Sequence, residues 1–163
     1  NVATTFTRAA EEGLIDVAAS MHVGPRGPTN DDTVFDYTRD VGFKLVDGYE
    51  LFETGLTNTA NSLVSDLHGR DVYLCFDMDF FDPSCAPGVC TPTWGGASAR
   101  EGLGFLQALS GLNVVGADIN TVSPPHDVGG MTAFLAGTVA LEILTLFCHA
   151  KGLIPDNSQP ACS

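Results

Sequence analysis

Cations are scarce in this chain: seven Lys and Arg stand against twenty Asp and Glu among 163 residues, a formal net charge of -13. That deficit argues against nucleic acid and anionic membrane surfaces as partners, because both are held by cationic patches. It suits a cationic small molecule, although net charge governs steering and solubility more than chemistry. Charged residues make up only 17% and hydrophobic ones 44%, which excludes a disordered chain and fits one domain with a real core.

Cysteines are few and odd in number. The five, at 75, 85, 90, 148 and 162, follow no spacing of a secreted disulfide framework, so a reducing cytoplasm is the default expectation. Cys85 and Cys90 resemble a thiolate pair, but no second Cys or His pair at zinc-site spacing accompanies them, which favours loop or core thiols. No repeat, low-complexity block, signal peptide or transit segment is legible. Residues 131–147 are apolar but broken by Gly137, Thr138 and Glu142, and read as a buried helix rather than a membrane span. The first residue is Asn1 rather than an initiator, and the chain reads as a fragment.

Along the chain, helical patterns alternate with short apolar strands. Strands are expected at residues 17–23, 43–46, 72–77 and 113–119. Helices are expected at 6–12, at 34–40 behind Asp31 and Asp32 with Gly42 as the stop, and as two short pieces within 48–67. Ser98 followed by Glu101 is a capping-box pattern opening a helix to about Ser110. Such alternation predicts an α/β fold with a mainly parallel sheet covered on both faces. Residues 1–155 read as the domain and 156–163 as a polar, frayed tail. Two long irregular loops, 83–96 and 120–130, leave the C-terminal ends of the last two strands, and ordered loops of that length are often functional.

The strand ending in Cys75-Phe76-Asp77-Met78-Asp79 carries two carboxylates at i and i+2. Strand alternation would put Asp77 and Asp79 on one side, at the end of a parallel strand where ligands bind. Two carboxylates held together repel unless a cation lies between them or one is protonated, and hard divalent metals favour such oxygens. The plain alternative is a pair of turn caps ahead of Asp82-Pro83. Phe80-Phe81 excludes an EF-hand loop, which needs a central Gly and further ligands.

At this point the motifs resemble a known family. Asp77-Met-Asp79-Phe-Phe-Asp82-Pro83, Ala86-Pro87-Gly88, Thr91-Pro92, Gly95-Gly96, Arg100-Glu101, Val115-Gly116-Ala117-Asp118 and Ser123-Pro124-Pro125-His126-Asp127 together resemble the ureohydrolases, in their agmatinase-like branch. Thr5-Phe6-Thr7-Arg8, the following Glu11 to Asp16, and Val23-Gly24 with Arg26-Gly27 are similar to the same branch, so the resemblance spans residues 3 to 147. It implies a three-layer, arginase-like α/β/α fold and a trimer or hexamer. It also implies a binuclear divalent-metal centre, usually manganese and in some members nickel. The implied reaction is hydrolysis of a guanidino compound, agmatine-like or free guanidine, to urea and an amine or ammonia by a metal-bridging hydroxide. By motif position, Asp77 would bridge both metals and Asp79 would ligate one.

Three departures shape the expectation. The family's upstream Gly-Gly-Asp-His and Asp-Ala-His-x-Asp motifs are absent, and none of His22, His68, His126 or His149 sits in such a context, so a structural role is expected for each. The chain thus resembles the C-terminal half of a longer enzyme and should hold metal poorly alone. The proton-shuttle His expected before Thr5-Phe6 is either lost or cut away by a truncation across it, and no catalytic residue is assigned. Finally, Thr121 stands where the branch has a guanidinium-binding Glu, and Thr93-Trp94 where it has Glu-Pro. Trp94 and Thr121 are therefore the candidate substrate-binding residues, with loop anchoring as the alternative for Trp94. The competing class is a non-catalytic superfamily relic serving as an assembly surface.

Overall fold

The structure, a computed structural model, describes residues 4–29 and 32–154. The expected cap Asp31, Cys162 and the polar tail lie outside the described residues. The chain divides into two compact units, residues 1–53 and 54–163.

The first unit opens with helix α1 (Thr5–Glu11), then strand β1 (Met21–Val23), helix α2 (Val34–Val41), strand β2 (Lys44–Val46) and helix α3 (Gly48–Thr54), whose last residue begins the second unit. β1 is shorter than its apolar pattern, because Val17–Ala19 forms a 3-10 turn capped by the Asp16 carboxylate. β1 and β2 pair in parallel, with His22 opposite Leu45. Gly42 ends α2 at φ 110°, a left-handed conformation that favours glycine. Thr33, not Asp32, precedes the first turn of α2, and no side chain caps it. The His22 ring meets Phe6 and Phe43 edge-on at 6.1 and 5.0 Å. Burial of the ring lowers its pKa.

The second unit holds α4 (Leu56–Asp66), β3 (Asp71–Asp77), α5 (Ala99–Ala108), β4 (Asn113–Asn120) and α6 (Met131–Ala150). β3 and β4 are parallel, with Cys75 opposite Asp118 and Asp77 opposite Asn120. The parallel α/β class is that of the sequence expectation, but among the described residues the strands form two separate pairs rather than one sheet.

Alternation sorts β3 cleanly. Phe76 is buried among Phe80, Phe81 and, through Phe80, Phe105, with ring centroids 5.6 to 5.7 Å apart. Tyr73 and Asp77 on the opposite face are exposed. The core adds Leu63, Leu106, Val114, Val139, Ile143 and Leu146 from the three helices and β4, with Leu109 just after α5. Full burial of such a side chain contributes roughly 1.5–3 kcal/mol. α5 begins as the sequence predicts, with the Ser98 hydroxyl accepting from Glu101 N–H and the Glu101 carboxylate accepting from Ser98 N–H. Gly102 is required there, since a β-carbon would collide with the Phe81 ring.

α6 departs in part from the expectation of a buried helix. Its 20 residues are long and apolar enough to cross a membrane by length and composition alone. Thr132, Val139, Ile143 and Leu146 are buried and the helix packs on β4 and α5, while Met131, Phe134, Leu141 and Leu144 are exposed. Periodicity marked the residues as apolar but could not say which neighbours cover them.

Candidate active site

The two irregular loops meet at the C-terminal ends of β3 and β4. Val89 bridges Val122 in antiparallel fashion, Ser123 N–H donates to the Gly88 carbonyl at 2.8 Å, and Cys90 N–H donates to the Thr121 carbonyl at 2.9 Å. Gly88 N–H donates to the buried Thr132 hydroxyl at 2.9 Å, tying the first loop to the start of α6.

Asp127 organises that start. Its carboxylate accepts from Val128, Thr132 and Ala133 N–H at 2.9 to 3.0 Å, satisfying donors that a helix N-terminus leaves unpaired. Asp82 organises the first loop. Its Oδ1 accepts from Ser84 N–H, and its Oδ2 from Gly95 and Gly96 N–H at 2.9 and 3.3 Å. Hydrogen bonds from Ser84, then from the two glycines, outweigh a small desolvation and hold its carboxyl down at about 2. The spacing Asp82-Pro83-Ser84, an Asx turn, is the sequence cue to this role.

Asp77 and Asp79 both lie at the C-terminal end of β3, but not on one face of a strand. β3 ends at Asp77, and a 3-10 turn over Met78–Phe80 follows, with Met78 fully buried. Asp79 N–H therefore leaves the ladder and donates instead to the Thr121 hydroxyl at 3.2 Å. The Asp79 carboxylate accepts from the Thr91 hydroxyl at 2.8 Å. The Asp77 carboxyl is pushed above its usual range, first by partial shielding from water and then by the charges of Asp79 and Asp118. Asp118 itself accepts from the Tyr73 hydroxyl at 2.6 Å and from the Asn120 amide, and Asn120 also contacts Cys75 Sγ at 3.4 Å. Desolvation, the hydrogen bond to Asp118 and the nearby carboxylates push the Cys75 thiol up to about 12.

The oxygens of Asp77 and Asp79 are of a kind that suits a hard cation. The described residues nevertheless contain no group of three or more His, Cys, Asp or Glu arranged to hold a metal ion. Asp77 and Asp79 fit part of a metal shell, not a whole one.

Of the other candidates, Trp94 is 75% exposed on the first loop within this chain. Thr121 is half-buried with φ at 69°, and among the described residues it is the one non-glycine with positive φ. A groove of about 370 Å³ between β4 and α6, lined by residues such as Asp118 and Leu144, includes neither Trp94 nor Thr121. His126 is exposed and its Nδ1 lies 2.7 Å from the Ser123 hydroxyl.

Residues 1–146 match the Arginase family model. The chain belongs to the arginase family. It is 37% identical over 149 residues to guanidinopropionase of Pseudomonas aeruginosa, covering 90% of this chain and 46% of that protein. The structure of proclavaminate amidino hydrolase from Streptomyces clavuligerus superposes with a TM-score of 0.83 at 38% identity, covering 90% of this chain and 49% of that one. Arginase from Bacillus caldovelox superposes with a TM-score of 0.71 at 29% identity, covering 82% and 44%. This arginase-family chain thus spans about half the length of the relatives it matches. Its fold is arginase-like α/β, and its class is that of the ureohydrolases.

Proposed function

We propose that the protein to which this chain belongs hydrolyses a small guanidino compound, releasing urea and an amine, or urea and ammonia if the substrate is free guanidine. The observation that carries the reading is the placement of Asp77 at the end of β3 and of Asp79 in the turn that follows, beside two loops that brace each other. The names of the relatives support the substrate class. The family implies a binuclear divalent centre, manganese or nickel, which when bound supplies a water activated at neutral pH. Asp77 and Asp79 would be this chain's contribution to it, Asp77 shared between the metals, with the remaining ligands from outside the described residues. A guanidinium offers a flat face to an exposed indole such as Trp94 and N–H donors to carboxylates. The charge balance of the chain suits that cation. A cytoplasmic homo-oligomer, trimer or hexamer, belongs to the same proposal.

The test uses the full-length protein loaded with manganese or nickel and assayed against guanidine, agmatine, guanidinobutyrate and arginine. Urea release from one of them, lost together with bound metal in Asp77→Asn, is the expected result. Unchanged metal content in that variant would remove Asp77 from the centre. No urea from any substrate would favour the non-catalytic relic.

A further inference from the structure

Thr121 combines three features that no other described residue shares. It is β-branched yet held at φ 69°, where a β-carbon crowds the backbone and a bulky side chain is a genuine outlier. Its hydroxyl accepts the Asp79 amide at 3.2 Å, across 42 residues of chain. Its carbonyl accepts the Cys90 amide at 2.9 Å. A strained conformation persists only where surrounding structure over-determines it, and such strain clusters at functional sites. Here the strained residue ties the loop after β4 both to Asp79 and to the loop that carries Thr91, whose hydroxyl holds the Asp79 carboxylate at 2.8 Å.

We propose that Thr121 is a positioning residue: its left-handed backbone aims its hydroxyl at the Asp79 amide and so sets where the Asp79 carboxylate stands. It acts through Asp79 rather than by touching the substrate. Asp79 N–H has left the β3 ladder, so the hydroxyl provides the partner that a strand neighbour would otherwise have supplied. What the tether needs at position 121 is an acceptor aimed at the Asp79 amide, and the Thr121 hydroxyl oxygen provides it. The inference rests on the proposed ureohydrolase reading only for the purpose of the site; the link between Thr121 and Asp79 is independent of it.

The test follows backbone amide exchange and divalent-metal binding in the full-length protein for Thr121→Val, Thr121→Ser and Thr121→Gly. Val keeps the branched shape without the hydroxyl, Ser keeps the hydroxyl, and Gly relieves the left-handed strain without supplying a hydroxyl. Exchange at Asp79 should quicken roughly three- to tenfold in the Val and Gly variants and return toward wild type in Ser. Exchange at Leu74, inside β3, should stay unchanged in Gly, which separates loss of the tether from loss of fold. Manganese Kd should weaken in parallel with the Asp79 exchange, and kcat should fall more than KM rises. Unchanged Asp79 exchange in Thr121→Gly, or a change confined to KM, overturns the positioning role. If wild type binds no manganese and releases no urea, the ureohydrolase reading fails, while the Asp79 exchange still decides the role of Thr121.

Discussion

Gly88 lies against Asp127 so closely that a β-carbon on Gly88 would stand 2.5 Å from Asp127 Cβ and 2.7 Å from its Cα. One of the two atoms is backbone, so the clash cannot be relieved by a rotamer. The same Gly88 donates its amide to the buried Thr132 hydroxyl, and Asp127 caps the turn that contains Thr132. The two site loops and the start of α6 therefore close as one joint.

Gly88→Ala should accordingly destabilise by about 1–3 kcal/mol, as over-packing does in tightly filled sites. Gly95→Ala is a useful contrast: Gly95 has φ 83° but nothing within 4 Å of its would-be β-carbon, so only backbone strain opposes the substitution. Chemical denaturation midpoints of the two variants measure the difference. An unchanged midpoint in Gly88→Ala would mean that the joint gives way without loss.

Trp94 supports the opposite kind of prediction. With 75% of the residue exposed, Trp94→Ala should change the denaturation midpoint little, within about 0.5 kcal/mol. If its ring covers a flat cation, the desolvated cation–π contact contributes about 1–2 kcal/mol, which is roughly a five- to thirtyfold loss in kcat/KM. The loss should be greatest for guanidine, which has no tail to find other contacts. A substrate ranking unaffected by Trp94→Ala would leave Trp94 as a bystander.

Asp82 predicts an acid dependence. Its carboxyl ionises at about 2 in the folded chain against 3.8 for an unperturbed carboxyl, because the charged form accepts from Ser84, Gly95 and Gly96. A depressed folded-state value means that the charged form stabilises the fold above pH 4, and that this contribution fades as pH falls from about 4 to about 2. Asp82→Asn should lower the urea midpoint at pH 7, and the gap from wild type should narrow across that acid window. A gap that is constant from pH 7 to pH 2 would show that the carboxylate charge is not what holds the loop.

Much of this was legible in the residues. The Ser98–Glu101 capping box, the Gly42 stop and the β3 and β4 strands arise from local chemistry, in which a side chain a few residues away satisfies or breaks a backbone bond. The family follows from short motifs around Asp77, Gly88 and Ser123, because such motifs demand particular side chains at fixed spacing. The placement of Asp79 was less legible. Alternation carried it to the same face as Asp77, whereas the strand stops at Asp77 and a buried Met78 turns the chain.

By itself, then, the sequence determined the α/β class, the family, the carboxylate pair and the loops that surround it, since each depends on interactions within a few residues. Only the tertiary structure decided that Thr121 reaches Asp79 rather than standing free in a pocket, that Asp82 and Asp127 staple their loops, and that one side of α6 stays uncovered within this chain. Those outcomes depend on bonds between residues far apart in sequence, and on which surfaces happen to meet. Periodicity and spacing do not encode either of them directly.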